Sequence, residues 1–463
     1  MEPEISEYGK IPGDGQSYKS FLRSIIEVKT VILGGGLTGI TLARLLREDG
    51  KDVTVLEAEE TTGGLCRSKK EAGFTFDTGG SHIIFSRDME VLRFMHSFLG
   101  DNIGNRERNT KILYKGIMVK YPFENGLYQL PKEDLFFCIN EFIQTLIRTE
   151  MGKIPVPTNF KEWIYTTFGK GIAELYMVPY NEKIWKYPTG KMSLHWVEDR
   201  VPRPPVEDVI KSAIGIETEG YTHQAVFSYP LEGGIEALIQ SMEAGMEDII
   251  HTGFRVTDIR QKDGKWLITN GDQAIEGDRI ISTIPLQELC ASLGNVPEEV
   301  KDAVDSLRYN SVACIFVGIK GEVPPISWLY IPDEETGLEN RISFPSNYSP
   351  NVAPEGMGAI LAEITFNEGD RISAMSDDDL VDHVIGSLEK MGIVNRSDVV
   401  FTGVERQKYA YVVYDLDYLL NIAIVKDFFG QKQISLVGRF SQFEYLNMDG
   451  CIRSVFDFVK GDV

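Results

Sequence analysis

The hydrophobic positions of the chain follow two rhythms. Between 28 and 57, Val31-Ile32-Leu33 is an unbroken apolar run, which predicts a strand buried on both faces. Ile40, Leu42, Ala43, Leu45 and Leu46 then recur at helical spacing, and Asp49-Gly50 stops the helix. Val53-Thr54-Val55-Leu56 predicts a second short strand. Helical spacing returns at 89–99 and over 131–148, where Leu135, Phe136, Ile139, Phe142, Ile143, Leu146 and Ile147 form the expected apolar face. Helical signals continue through 160–168 and 172–178, and Pro202, Pro204 and Pro205 punctuate the exit. Strand patterning marks 73–77, a hairpin over 111–120 around Lys115-Gly116, and runs at 255–259, 266–269 and 275–284 with turns at Asp263-Gly264 and Asn270-Gly271. Gly233-Gly234 opens a helix over 235–246. From 312 to 366 the strands are long and spaced like an antiparallel sheet, followed by a helix over 377–390, a buried strand over 434–437 and a last helix over 449–459.

These elements predict an α/β protein: a Rossmann-like domain, a mostly helical insert and an antiparallel β-sheet domain. The expected divisions are 25–105 for the first part of the Rossmann-like domain, 106–222 for the insert with its hairpin, and 223–300 for a second part. The sheet domain spans 301–430, and 431–463 returns to the first domain. Residues 1–24 are polar and read as an arm.

The joint between the first strand and helix carries chemistry. Gly34-Gly35-Gly36-Leu37-Thr38-Gly39 follows the apolar run, and Glu57 closes the second strand, completing a strand–turn–helix–strand–acid unit of about thirty residues. Gly34 suits the tight turn, Gly36 the approach of a pyrophosphate, and Gly39 close packing of helix on strand. The helix start, with Leu37 and Thr38, offers N–H groups to phosphate, and Glu57 can accept from ribose hydroxyls. This stretch by itself fits NAD as well as FAD.

Composition narrows the partners. The formal net charge is -22, which disfavours nucleic acid and anionic membrane surfaces, since both require a basic face. No apolar run approaches the roughly 18 residues of a membrane span. Five cysteines without CxxC spacing fit reduced thiols, and the acidic Met1-Glu2-Pro3-Glu4 lacks a signal-peptide pattern, so a cytoplasmic protein is expected. Six scattered histidines suggest no metal. A homo-oligomer is compatible with the sequence.

The glycine turn, Glu57 and the downstream Gly63-Gly64-Leu65-Cys66-Arg67-Ser68 resemble the FAD-binding superfamily of amine oxidases, protoporphyrinogen oxidases and carotene desaturases. Within it, YPFENGLYQLPKED (121–134), MVPYNEKIWKYPTGKM (177–192), EDRV (198–201), WLYIP (328–332), SNYSP (346–350) and GRFSQFEYLNMD (438–449) resemble UDP-galactopyranose mutase, particularly its eukaryotic-type branch. The resemblance covers roughly 28–455, and the motifs come in family order. It implies an FAD-dependent isomerase that interconverts the pyranose and furanose forms of UDP-galactose, or of a related UDP-hexose, through a covalent sugar adduct on reduced FAD. NADH and NADPH both remain open as the reductant. An oxidase or desaturase of the same superfamily is the rival reading.

Residue roles follow from that resemblance. Arg200 and Arg341 match the arginines that hold the diphosphate, and Tyr411 and Tyr445 match tyrosines aimed at it, with Tyr409 and Tyr414 as rivals of Tyr411. His82 matches a loop histidine beside the flavin, with Ser81 shifting the register after Gly79-Gly80. Tyr121, Phe123, Asn181, Trp185, Trp328 and Tyr330 match positions around the nucleotide; Glu124 and Gln224 stand where Gln and Asn are expected. The FAD set is Gly34, Gly36, Leu37, Thr38, Gly39, Glu57, Gly64, Leu65 and Arg67, with Gly438, Arg439, Asn447 and Met448 at the end of the chain. Cys66 is expected to fill space near the pyrophosphate rather than to attach the flavin.

Overall fold

The computed structural model describes residues 28–197, 201–218 and 226–461. Thr30–Leu33 (β1), Leu37–Glu48 (α1) and Val53–Leu56 (β2) form where the pattern puts them. β1 and β2 pair in parallel, with Thr30 opposite Val53 and Leu33 opposite Leu56. Every residue of both strands is buried, because helices cover both faces of a parallel sheet, and this removes any alternation. The five-stranded parallel sheet runs, in spatial order, Ile434–Leu436, Arg279–Ser282, β1, β2, Ile250–His251. The chain leaves this sheet after β2 and rejoins it from three distant segments. The last helix, Met448–Gly461, packs on α1 and so returns the end of the chain to the glycine turn.

One glycine decides how close α1 sits. A methyl group on Gly39 would lie 1.9 Å from the Gly34 carbonyl oxygen. Gly34 itself has φ +99°, a left-handed conformation that side chains resist.

The second layer is a seven-stranded sheet in the order Val399–Val413, Arg308–Lys320, Met357–Phe366, Arg341–Ser343, Trp328–Tyr330, Thr110–Tyr114, Ile117–Lys120. It is mixed rather than antiparallel throughout: Trp328–Tyr330 pairs in parallel with Thr110–Ile112. The hairpin expected within the insert is thus the outer part of this sheet. Strand order is set by long-range pairing, which local rhythm does not encode.

Other elements shift for identifiable reasons. The run 275–284 is two strands, Ala274–Gly277 and Arg279–Ser282, in different sheets. The break is at Asp278, whose carboxylate accepts from the Lys29 backbone N–H at 2.9 Å. The run 255–259 begins its strand only at Asp258–Lys262. The stretch 172–178 contains a π-helical turn, Ala173–Met177, and the helix expected over 235–246 is Glu236–Glu243. In Lys132–Glu150, of the seven apolar residues expected to be inside, Phe142 alone is fully buried; Phe136 is 68% exposed and Ile147 47%. The reason is a close crossing. Helix Phe160–Ile172 approaches through Gly171, where a methyl group would meet the Cys138 Cα at 2.5 Å, so the contact face turns toward Cys138, Phe142 and Thr145.

Gly39→Ala must push α1 off β1. We expect a loss of at least about 2 kcal/mol, seen as a lowered Tm, with weakened dinucleotide retention on gel filtration.

Candidate active site: a cavity between the two sheets

A cavity of about 1210 Å³ lies between the glycine turn and the seven-stranded sheet. One end is walled by Gly34, Gly36, Leu37, Thr38, Glu57, Gly64, Leu65 and Arg67. Two glycine turns face each other there. Gly36 and Gly63 form a parallel bridge, and a methyl group on Gly64 would stand 3.3 Å from the Gly36 Cα. Glu57 is buried, and its two carboxylate oxygens accept from the backbone N–H groups of Gly35 (2.7 Å) and Glu59 (2.9 Å). α1 starts at Gly36 without a side-chain cap, leaving its N-terminus directed at the cavity. Gly39 and Gly438 are not on the wall. Gly39 sets the helix approach, and Gly438, at φ +87°, passes so close that a methyl group would meet Thr38 Oγ1 at 2.5 Å.

The glycine cradle, the buried acid and the free helix end fit a dinucleotide. The end of the chain adds Arg439, Asn447 and Met448 to the same wall. Arg439 donates to the carbonyls of Leu446 and Ala410, while its Nε is buried without a hydrogen-bond partner. An orphaned donor of this kind suits a polar group of a bound ligand.

At the far end, the segment 78–85 brings Ser81 and His82 to the wall, opposite Arg341, Tyr411 and Tyr445. His82 Nδ1–H donates to the Gly80 carbonyl at 2.8 Å. Burial, with help from the positive charges of Arg341 and Arg439, pushes the imidazole down to about 4, so it is neutral at pH 7. Arg341 makes a two-point ion pair with Glu363, Nε to Oε1 at 2.9 Å and Nη2 to Oε2 at 2.7 Å, and its Nη2 also reaches the Ser81 carbonyl at 3.4 Å. Tyr411 and Tyr445 stand with ring centroids 5.9 Å apart, and the Arg439 guanidinium lies over both. Burial raises the Tyr411 phenol, which keeps it a hydrogen-bond donor. Of its rivals, Tyr409 donates to Glu288 at 2.9 Å, and Tyr414 is buried with its oxygen accepting from the Tyr445 N–H at 2.6 Å.

The other expected nucleotide contacts are not on this wall. Phe123 is fully buried, stacked on Tyr176 at 4.9 Å, and Glu124 is buried beside it. Asn181 donates to the Met177 carbonyl and accepts from Trp185 Nε1, so both residues are engaged internally. Tyr121 and Tyr330 pack at 5.3 Å, and the Arg108 guanidinium lies 4.8 Å over Tyr121 and 4.9 Å over Trp328. Arg200 and Gln224 lie outside the described residues.

Arg108, on the wall, and Glu363, which pairs with Arg341 from behind it, were not anticipated. Arg108 has no local signal, since it gains its place when the hairpin joins the sheet. Glu363 had one: it is a lone acid within the apolar strand Met357–Phe366, and a buried charge requires a partner. Cys66 lines the cavity, but burial raises its thiol strongly, which disarms it as a nucleophile.

Residues 182–454 match the family model described as flavin containing amine oxidoreductase, and residues 32–98 match a NAD(P)-binding Rossmann-like domain. The chain belongs to the flavin-containing amine oxidoreductase family. It is an FAD-dependent enzyme of that superfamily. Polyamine oxidase 4 of Oryza sativa subsp. japonica is 22% identical over 373 residues, covering 78% of this chain and 72% of the relative. The L-amino-acid oxidase BmooLAAO-I of Bothrops moojeni is 21% identical over 421 residues, covering 84% and 77%. A crystal structure of reduced UDP-galactopyranose mutase superposes with a TM-score of 0.85 at 27% identity, covering 94% of this chain and 96% of that one. A putative protoporphyrinogen oxidase from Exiguobacterium sp. 255-15 shares the fold, with a TM-score of 0.75 at 19% identity over 94% and 98% of the two chains. Among the described residues, no helix is long and apolar enough to cross a membrane, and no cluster of metal-binding side chains occurs.

With the Cys66 thiol raised by burial, we expect the flavin to be held without a covalent bond to Cys66. Acid precipitation should leave the yellow colour in the supernatant, and Cys66→Ala should retain the flavin; colour in the pellet would contradict this.

Proposed function

We propose that this flavoenzyme is a nucleotide-sugar mutase that interconverts UDP-galactopyranose and UDP-galactofuranose, or the two ring forms of a related UDP-hexose. The observation that carries the reading is the pairing of Arg341 with Glu363 at the cavity end where Tyr411, Tyr445 and neutral His82 converge. The likeness to reduced UDP-galactopyranose mutase supports it.

FAD, when bound and reduced, supplies the nucleophile for the anomeric carbon. The protein's part is electrostatic and steric. As the glycosyl bond breaks, negative charge grows on the diphosphate, and Arg341 answers it with its remaining donors. Glu363 holds that guanidinium rigid, so little entropy is lost when it binds. The Tyr411 and Tyr445 hydroxyls can donate to the same phosphate oxygens. Neutral His82 adds no positive charge beside the nucleophile. Arg200 is proposed as the second guanidinium, and Arg108, held on the wall by Tyr121 and Trp328 behind it, as a cation of the nucleotide site. NADH or NADPH is the proposed reductant.

The test is direct. The yellow protein, reduced with dithionite, is given UDP-galactose in either ring form and the isomers are separated by chromatography. Conversion confined to the reduced state is expected. Arg341→Lys keeps the charge but loses the two-point contact, and turnover should fall about 100-fold. The second reading, an amine or amino-acid oxidase, is favoured by the curated relatives. Oxygen consumption with a polyamine or an L-amino acid, without isomerisation, would replace the mutase by that reading.

A further inference from the structure

The tyrosines at the cavity wall rest on two others that do not line it. Tyr414 follows the strand Val399–Val413, and Tyr418 begins the helix Tyr418–Gln431. Both are buried, and neither lines the cavity. Their rings meet edge to face with centroids 4.4 Å apart. Their hydroxyls act on one short stretch of backbone. The Tyr418 hydroxyl donates to the Phe443 carbonyl at 2.8 Å, and the Tyr414 oxygen accepts from the Tyr445 N–H at 2.6 Å. A phenol can donate or accept, so a pair of them can hold a carbonyl and an N–H at once. The two backbone groups lie on either side of Glu444.

The stretch they hold is strained. Phe443 is fully buried with φ +56°, a left-handed conformation that a bulky side chain keeps when its surroundings impose it. The turn also bonds to itself: the Glu444 N–H donates to the Arg439 carbonyl at 2.8 Å, and Arg439 Nη1 to the Leu446 carbonyl at 2.9 Å. The tyrosine hydroxyls tie it to a different part of the chain. The turn delivers Tyr445 to the wall, where its ring meets Trp185 at 5.3 Å and Tyr411 at 5.9 Å. Tyr414 is anchored in turn. Trp196 stacks on it with centroids 6.4 Å apart and planes 13° apart, and the Ser193 N–H donates to its carbonyl at 2.9 Å. The helical insert, the seven-stranded sheet and the end of the chain therefore meet at this one residue.

We propose that Tyr414, aided by Tyr418, is a positioning residue: by holding the Tyr445 N–H it sets the direction of the Tyr445 hydroxyl in the cavity. The proposal rests on the reading of Tyr445 as a donor to the bound diphosphate. It gives Tyr414, one of the two rivals that the sequence pattern offers for Tyr411, a place behind the wall rather than on it.

The geometry explains why backbone support matters at this position. The hydroxyl of a tyrosine lies at the far end of a rigid ring, so a small tilt of the peptide at its Cα is carried outward and enlarged. A hydrogen bond weakens steeply as its angle falls. Loss of the Tyr414 oxygen leaves the Tyr445 peptide free to tilt and the strained Phe443 free to relax. The ring of Tyr445 then still fills its place against Trp185, but its hydroxyl points less truly at a phosphate oxygen. The expected consequence is local: ligand affinity falls while the fold and the flavin cradle stay as they are.

Tyr414→Phe deletes one oxygen and keeps the ring that stacks on Trp196. Two measurements on the flavin-loaded protein test the proposal. Without nucleotide, amide exchange over 443–446 should quicken by about tenfold, while exchange over 30–33 and 53–56 matches the parent. Equilibrium binding of UDP should weaken about fivefold in Tyr414→Phe, yet hardly change when Tyr445→Phe is already present, because the hydroxyl that Tyr414 aims is then gone. Unchanged exchange over 443–446, or exchange quickened throughout the chain, would overturn the proposal. So would an equal loss of UDP affinity in both backgrounds. If Tyr414→Phe does not fold, Tyr418→Phe, which removes the donor to the Phe443 carbonyl, goes through both measurements under the same criteria. A parent that binds no UDP would end the nucleotide reading, and the exchange measurement would then decide by itself whether Tyr414 positions Tyr445.

Discussion

A carboxylate buried in the middle of an apolar strand imposes order on this site. Glu363 is 1% exposed, and an unpaired charge in such a place would cost several kcal/mol. The sheet register sets Arg341 directly opposite it. The pair fixes the guanidinium in one orientation, and the same carboxylate takes the Ser81 N–H. One buried charge therefore ties the Arg341 guanidinium, a strand pairing and the His82 segment into a single arrangement. Preorganisation of this kind is what makes a donor effective toward charge that develops during reaction.

Aromatic packing joins the strand Phe74–Asp77, which pairs with Ser68–Glu71, to the seven-stranded sheet. Phe76 stacks on Phe316 at 4.8 Å, and Phe74 on Phe401 at 5.6 Å. Gly318 lets this happen, because a methyl group there would lie 2.5 Å from the Phe74 ring. The strand Phe74–Asp77 is thereby pinned to the seven-stranded sheet, and the segment after it is delivered to the cavity wall beside Arg341.

The charge distribution works against the overall composition. The chain is strongly acidic, yet Arg67, Arg108, Arg341 and Arg439 all reach the cavity. In a concave site with low-dielectric walls, such local cations dominate the field that an anionic ligand meets.

The sequence by itself determined the Rossmann-like unit and its ligand class. The apolar runs, the glycine spacing and Glu57 are all local: each requires only neighbours within a few turns of chain, so rhythm and residue type suffice. Motifs at the end of the chain, Gly438-Arg439 and Asn447-Met448, were legible through their resemblance to a known family; Arg439, Asn447 and Met448 reach the wall, while Gly438 packs against Thr38. The tertiary structure decided what depends on distant partners. It placed the 110–120 hairpin in the second sheet and so put Arg108 on the wall. It turned Lys132–Glu150 so that Phe136 faces solvent, drew Phe123 and Trp185 into the core, and opposed Arg341 with Glu363. A side chain's burial and charge balance are properties of its whole surroundings, and those surroundings are assembled from segments that are not neighbours in the chain.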